Sequence, residues 1–185
     1  MQNALSLDFS LRFCYNYFVI ICLTAGALCA GTIGTIQNTG VQIMNYEVMD
    51  IKSTHYQDPT AGGLSFFEGG RDVPFQVKRI YWIYEAAKGT HRGFHAHTRN
   101  WQLLFCPHGS IDIILDDGSA RETVTLDSPA KGLLLNPGLW REMIWNETNS
   151  VLCVAASEYY DPDEYIRDYD QFLAYVKRKE SPQAE

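Results

Sequence analysis

Residues 89–109 read GTHRGFHAHTRNWQLLFCPHG, and the rest of the chain is best interpreted from this stretch outward. Within it, His95 and His97 are two positions apart. Because successive side chains of a β-strand alternate between the faces of a sheet, residues i and i+2 share one face. If this segment is a strand, both imidazoles point to the same side of the sheet and can line the same site. Two such histidines are also compatible with ordinary polar positions of a half-exposed sheet.

The intervals around the two histidines narrow these alternatives. Gly89, His95, His97 and Gly109 resemble the first motif of metal-binding cupins, in which a glycine, a His-x-His pair, a glutamate and a second glycine recur at these intervals. The position of the glutamate is occupied by Gln102. The sequence keeps the frame of the motif and loses one type of metal ligand.

Length and composition restrict the class of protein. The chain has 185 residues, 46% of them hydrophobic and 20% charged, as expected for one ordinary domain. Its net charge of −7 gives nucleic-acid binding no electrostatic support. The five cysteines are an odd number without a CxxC pair, and we expect buried free thiols, as in a reducing compartment.

Residues 1–43 differ from the rest of the chain. Residues 13–46 contain no charged residue, and residues 17–30 (YFVIICLTAGALCA) are nearly continuously apolar. Three interpretations fit this pattern: a secretory signal, a membrane anchor shorter than usual, or an extension outside the functional protein, with Met44 or Met49 as the working start.

From Phe75 to Ser157 the sequence predicts one short strand after another. The segments are rich in β-branched and aromatic residues and separated by Gly and Pro turns, as is typical of a sandwich or barrel. Asp117-Gly118 is the strongest hairpin signal. A lead-in segment over 44–75 and a turn over 107–109 are also expected. Besides the strand through His95 and His97, the expected strands are 64–68, 77–85, 101–106, 111–115, 122–126, 132–136, 140–145 and 151–157.

Only the end of the chain has a helical pattern. Residues 161–164 (DPDE) offer an N-cap, a proline at the first position and a capping-box glutamate. Apolar residues then recur at steps of three and four from Ile166 to Val176. The sequence predicts one or two short turns and a helix to about Lys179. The predicted fold class is therefore all-β, a cupin-type double-stranded β-helix (jelly roll) with a short C-terminal helix.

A second cupin motif, which would supply the fourth metal ligand, is also altered. Its counterpart is residues 132–140 (GLLLNPGLW), where Trp140 stands near the place of the ligand histidine. An indole nitrogen only donates hydrogen bonds, and a neutral Gln102 is a weak ligand. First-row metals usually take three or more protein ligands, so we expect no metal site. The imidazoles are then free for acid–base chemistry at neutral pH.

A longer, ordered set of segments resembles the nucleotide-sugar 3,4-ketoisomerases, the WxcM-like (FdtA–QdtA type) cupins. Each segment is short, but their order and spacing make the set specific. The segments are residues 63–64, 68, 73–75, 78–81, 92–97, 115–118, 126–129, 132–133, 140–143, 156–157, 160–161 and 163–169.

This resemblance implies a homodimeric isomerase that needs no metal or other cofactor. Such enzymes move the ketone of dTDP-4-keto-6-deoxyglucose from carbon 4 to carbon 3. Their product passes to an aminotransferase that makes 3-amino-3,6-dideoxy sugars for surface polysaccharide. The family pattern begins near Met44, so residues 44–185 are expected to form the catalytic domain and residues 1–43 an extension. A nucleotide-sugar substrate implies a cytoplasmic enzyme, although the apolar extension leaves a signal or anchor open.

The resemblance also assigns roles to residues. The expected catalytic residues are His95, His97 and Tyr81. The expected substrate-binding residues are Arg79, Arg92, Gln102, Trp140 and Arg141. We expect tyrosine and tryptophan to line an apolar cavity mouth, and we place His91 in the loop before the histidine strand.

The residue types suit this chemistry. Moving the ketone requires a proton taken from carbon 3 and one delivered to carbon 4 through an enediol, which one or two imidazoles can carry. Arginine suits the binding of a diphosphate, because its planar guanidinium group can donate two hydrogen bonds to phosphate oxygens. Two alternatives remain: a 4-keto sugar-nucleotide epimerase and a catalytically inactive sugar-binding cupin. The sequence leaves open the gluco or galacto product, the nucleotide, and which histidine serves which carbon.

Overall fold

The computed structural model describes residues 44–180, which form β-strands, two 3-10 turns and one C-terminal α-helix. The interpretations of residues 1–43 lie outside the described residues. The strands are β1 (Tyr46–Asp50), β2 (Lys52–His55), β3 (Gly63–Phe66), β4 (Arg79–Ile83), β5 (His91–His97), β6 (Gln102–His108), β7 (Ile111–Asp116), β8 (Arg121–Leu126), β9 (Lys131–Leu135), β10 (Trp140–Trp145), β11 (Val151–Ala156) and β12 (Tyr165–Ile166). The 3-10 turns are Pro59–Ala61 and Pro162–Glu164, and the helix is α1 (Tyr169–Glu180).

Ten of these strands form two antiparallel sheets of five. The first has the order β1-β9-β6-β11-β4 and the second the order β12-β5-β10-β7-β8, while β2 and β3 form a separate hairpin. The main apolar core takes residues from both sheets, so it lies between them. Two antiparallel sheets facing each other across one core are the arrangement of a jelly roll, as predicted.

Strand β7 illustrates how the sequence builds this core. Ile111, Ile113 and Leu115 alternate along the strand and are fully buried. Burying each such side chain contributes about 1.5–3 kcal/mol. The predicted hairpin follows, because the Asp117 carboxylate accepts hydrogen bonds from two backbone N–H groups of the turn to β8.

The structure differs from the prediction at three places in the chain. The lead-in segment contains β1, which pairs with β9, and β2, which pairs with β3. Strand β6 continues through Pro107 to His108, where a turn was predicted. The ladder to β11 is irregular between Val151 and Cys153, opposite this proline, and such an irregularity tolerates a residue without an N–H. Strand β5 already begins at His91, so His91 does not lie in a loop.

The predicted start of the helix is also wrong. Asp161 caps only the short 3-10 turn, where its carboxylate accepts from the Asp163 N–H. The chain then forms β12 against β5 before α1 begins at Tyr169. Asp168 precedes α1, and its carboxylate accepts from the Gln171 N–H as an N-cap does.

A smaller prediction concerns the cysteines. Both described cysteines are free thiols; Cys106 is buried, as expected, and Cys153 is half-buried. Within residues 44–180, no helix is long and apolar enough to span a bilayer.

Candidate active site

A cavity of about 560 Å³ opens between the two sheets, a volume typical of small-molecule sites. The polar residues that line it are basic or neutral, and no acidic residue of the described part of the chain lines it. The polar and aromatic lining residues are Arg79, Tyr81, Arg92, His95, Gln102, Arg141, Tyr160, Tyr165 and Arg167. The apolar remainder comes from β4, β6, β10 and β11. In a chain with a net charge of −7, this cavity concentrates positive charge.

A β-bulge places two of these residues on the same wall. Arg141 pairs with His95 and Glu142 with Gly93, so Phe94 is the additional residue of β5. Gly93 has φ +101°, a backbone conformation that favours glycine. A Cβ at this position would lie only 2.7 Å from the Arg141 carbonyl oxygen, so the bulge requires a residue without a side chain. Without the bulge, Arg92 and His95 would face opposite sides; with it, both line the cavity.

His95 is held as a neutral imidazole at the cavity wall. Its Nδ1 donates to the Gly93 carbonyl oxygen at 2.9 Å, which leaves Nε2 as the unprotonated nitrogen. Burial and the positive charge of Arg141 lower the pKa of His95 to about 3, against a weaker opposing effect of that hydrogen bond. At neutral pH this side chain is therefore a proton acceptor.

His97 lies behind His95 rather than at the cavity surface. The two rings are in edge-to-face contact with centroids 5.1 Å apart, and only 2% of His97 is exposed. Its Nδ1 lies 2.9 Å from Oε1 of the fully buried Glu164, and its Nε2 lies 3.3 Å from the Gln102 amide nitrogen. Burial is the main cause that lowers the pKa of His97, and Arg141 is the next.

Gln102 connects His97 to the cavity. Its side chain is 1% exposed, and its amide nitrogen also lies 3.3 Å from the Tyr81 hydroxyl, which faces the cavity. The predicted catalytic trio of His95, His97 and Tyr81 is thus brought together, with Gln102 between two of its members.

Four arginines surround this group, and none is paired with a carboxylate within residues 44–180. Arg141 is 4% exposed, and burial lowers its pKa, although a guanidinium remains charged. Arg79 lies between the rings of Tyr81 and Tyr160, at 5.3 and 5.6 Å from their centroids. Arg92 and Arg167 are exposed at the cavity.

Trp140 was predicted to bind substrate, and the structure does not bring it to the cavity. It neighbours Arg141 on β10, and adjacent strand residues face opposite sides, so both cannot line one wall. Its indole packs on Phe172 of α1 and donates to Glu142 at 3.1 Å. The expected tryptophan at the cavity mouth is likewise replaced by tyrosines.

Sequence reasoning missed Glu164, Tyr165, Arg167 and Tyr160 as site residues. Tyr160 directly precedes the segment that was predicted to start the helix, and the other three lie within it. Because Tyr165 instead pairs with His97 across β12 and β5, this segment closes one wall of the cavity. The signal that could have identified them was the likeness of residues 160–169 to the ketoisomerase pattern.

The metal prediction concerns the same residues. Within the described chain, no group of three or more His, Cys, Asp or Glu side chains is arranged to hold a metal ion. The residue opposite His95 is the cationic Arg141, which cannot serve as a ligand. Independence from metal stays a prediction.

The chain matches one family model and is similar to a curated enzyme. The family model described as FdtA, WxcM-like, C-terminal, matches residues 44–177. A curated TDP-4-oxo-6-deoxy-alpha-D-glucose-3,4-oxoisomerase from Aneurinibacillus thermoaerophilus is 44% identical over 117 residues, which cover 63% of this chain and 84% of that protein.

Solved structures give the same result. QdtA, a sugar 3,4-ketoisomerase from Thermoanaerobacterium thermosaccharolyticum in complex with TDP, is 36% identical with a TM-score of 0.70, over 74% of this chain and 98% of its own. A mutant of QdtA in complex with TDP-4-keto-6-deoxyglucose is 35% identical with a TM-score of 0.70, over 75% of this chain and 98% of its own. These similarities confirm the predicted fold class.

Proposed function

The chain belongs to the WxcM-like (FdtA) family, and from this membership we propose that it is a nucleotide-sugar 3,4-ketoisomerase. It moves the ketone of TDP-4-keto-6-deoxyglucose from carbon 4 to carbon 3. The observation that carries the proposal is one cavity in which a neutral His95 and Tyr81 lie among four arginines without a carboxylate. Acid–base groups and a diphosphate-binding surface are thereby combined.

In the proposed reaction, the Nε2 atom of His95 takes the proton from carbon 3. The electron pair of the C3–H bond forms a C3–C4 double bond, and the ketone oxygen on carbon 4 accepts the hydroxyl proton of Tyr81 to give the enediol. The proton on the carbon 3 oxygen passes to the Tyr81 oxygen as the new ketone forms, and His95 returns a proton to carbon 4. The substrate is isomerised without any oxidant or reductant.

The charges around His95 suit both halves of this cycle. A buried guanidinium, Arg141, stabilises the negative charge that develops on a sugar oxygen when carbon 3 loses its proton. A bound diphosphate would offset part of the positive charge that lowers the pKa of His95, and so make it a stronger base in the complex than in the empty cavity.

Substrate binding is assigned to the outer cavity. Arg92 and Arg167 are exposed there and suit the diphosphate, because a guanidinium fork binds phosphate oxygens in pairs. The rings of Tyr160 and Tyr165 offer flat surfaces for the sugar or the base.

Partners and location follow from the same proposal. We assign catalysis to a domain of residues 44–185 that acts as a homodimer. An apolar row, formed by Ile80 and Trp82 of edge strand β4 and by Tyr84 just after it, supports a second copy because each is more than half exposed. The 3-ketone product is the electrophile that an aminotransferase requires. A nucleotide-sugar substrate supports a cytoplasmic location.

Proton NMR of the purified protein with TDP-4-keto-6-deoxyglucose in deuterated water tests the function. A ketoisomerase shifts the ketone to carbon 3, places deuterium at carbon 4, and reveals the gluco or galacto product by its coupling constants. An epimerase would invert a carbon while the ketone stays at carbon 4. No change and no exchange would indicate the inactive sugar-binding alternative.

A further inference from the structure

Four polar side chains form a continuous line from the protein interior to the cavity. Glu164, fully buried, lies 2.9 Å from His97 Nδ1, and His97 Nε2 lies 3.3 Å from the Gln102 amide nitrogen. The same amide nitrogen lies 3.3 Å from the Tyr81 hydroxyl oxygen at the cavity wall. The last two side chains, Gln102 and Tyr81, both line the cavity, so the line ends at the substrate space.

The amide nitrogen of Gln102 determines which atoms donate and which accept in the hydrogen bonds to His97 and Tyr81. It carries two hydrogens and no acceptor, so it donates to both neighbours. His97 Nε2 must then accept and be unprotonated. The Tyr81 oxygen also accepts, which leaves the Tyr81 hydroxyl hydrogen free to point into the cavity.

Glu164 completes the arrangement at its buried end. A neutral His97 whose Nε2 accepts carries its proton on Nδ1, the atom that faces the glutamate. The Glu164 backbone carbonyl accepts from the Thr98 N–H at 3.0 Å, which ties the glutamate to the segment after β5. As a carboxylate, Glu164 places its negative charge 2.9 Å from Nδ1 and so favours the tautomer with the proton on that atom, although burial raises the pKa of Glu164.

We propose that Glu164 is a positioning residue that acts through His97 and Gln102 to present the Tyr81 hydroxyl as a donor to a sugar oxygen. This inference rests on the proposed ketoisomerase function. His97 then does not exchange protons with the substrate, and His95 is the imidazole that does. The expected catalytic role of His97 becomes a supporting one.

The tautomer of His97 tests the line without reference to activity. In the full-length chain with 15N-labelled histidine, NMR distinguishes a proton on Nδ1 from one on Nε2, and His97→Asn identifies the signal. We expect the Nδ1–H tautomer, with a proton resonance that shifts in Glu164→Gln because the carboxylate charge 2.9 Å from Nδ1 is lost. An Nε2–H tautomer, an imidazolium, or a resonance unchanged in Glu164→Gln would overturn the proposal.

Kinetics with TDP-4-keto-6-deoxyglucose test the positioning role. In Glu164→Gln we expect kcat to fall about 10- to 100-fold, as when a partner that orients a histidine is removed, while the Kd for TDP changes less than about threefold. Glu164→Asp, which keeps the carboxylate, is expected to recover part of kcat. Wild-type kcat in Glu164→Gln would overturn the proposal.

A matched control exists on the outer face of the same sheet. Glu142 also lies 2.9 Å from a histidine, His91, but outside the cavity. Glu142→Gln is expected to keep kcat, and equal losses in the two Gln variants would overturn the proposal by pointing to a general effect on folding. A wild-type chain without turnover would overturn the ketoisomerase function and the positioning role in catalysis, while the tautomer measurement would still decide how the protons are arranged along this line of side chains.

Discussion

Arg141 lies directly opposite His95 in the pairing of β10 with β5. Both side chains face the cavity, and the positive charge of Arg141 is second only to burial in lowering the pKa of His95. A neutral imidazole thus lies beside a fixed cation. This pairing suits the removal of a proton from a carbon whose neighbouring oxygen becomes negative.

Replacing His95 is expected to remove the proton acceptor and leave the arginines in place. In His95→Asn, kcat should fall by at least about 10²-fold, the low end for lost acid–base catalysis, with little change in the Kd for TDP. His91→Asn is the matched control, because His91 lies on the same strand and contacts Glu142 outside the cavity. Near-normal kcat in His95→Asn would assign the proton transfer to another group.

The low pKa of His95 predicts how stability depends on pH. Between about pH 3, its pKa in the folded chain, and the ordinary 6.5, the unfolded chain binds a proton at this site that the folded chain excludes. The free energy of unfolding should therefore fall as the pH drops through this window and be independent of His95 above it. Urea denaturation from about pH 4.5 to 7 measures this dependence, and His95→Asn should weaken it. Equal slopes for the two chains would contradict the assigned pKa.

Arg92→Ala is expected to affect binding more than chemistry. Loss of one charge-assisted contact to a phosphate costs about 1.5–3 kcal/mol, so the KM and the Kd for TDP should rise at least about 10-fold while kcat changes less. Arg71→Ala removes the same charge from an exposed ion pair with Glu68 outside the cavity and serves as the control. A loss confined to kcat would place Arg92 in the chemistry instead.

Trp140→Phe tests whether Trp140 takes part in substrate binding. The variant keeps the packing on Phe172 and loses the hydrogen bond to Glu142, so we expect a loss of about 1 kcal/mol in stability, seen as a Tm lower by a few degrees. Steady-state kinetics should give wild-type kcat and KM within about twofold, because the side chain does not reach the cavity. A clear rise in KM would restore the original assignment.

Local patterns sufficed to predict much of the fold. Trp140–Trp145 was placed with the observed bounds, and the hairpin at Asp117-Gly118 was found, because alternation and turn chemistry act over a few residues. Strand β1 was missed because its pairing with β9 joins segments far apart in sequence. Long-range pairing leaves little trace in a local pattern.

Part of the candidate site was also predictable from the sequence. His95, Arg79 and Tyr81 followed from spacing and resemblance, and each lines the cavity. The bulge at Phe94, which turns Arg92 inward, depends on the backbone of two paired strands and has no simple sequence signal. Glu164 was read as part of a helix cap, because a capping glutamate and a buried partner of histidine look alike in sequence.

Both the residue types and their positions in the fold favour an enzyme that works without a metal ion. In the cupin motif the final ligand comes from near position 140, but Trp140 faces α1, and the inward residue beside it is Arg141. A guanidinium offers no lone pair and repels a cation, and Gln102 faces His97 as a hydrogen-bond donor.

We therefore expect kcat to be unchanged after prolonged dialysis against a chelator, and elemental analysis to find far less than one equivalent of any transition metal. Adding Zn²⁺, Mn²⁺ or Fe²⁺ to the dialysed protein is the control, and it should not raise kcat. Stoichiometric metal in the wild-type protein, with kcat lost on its removal and restored on its return, would show that the histidines serve as ligands.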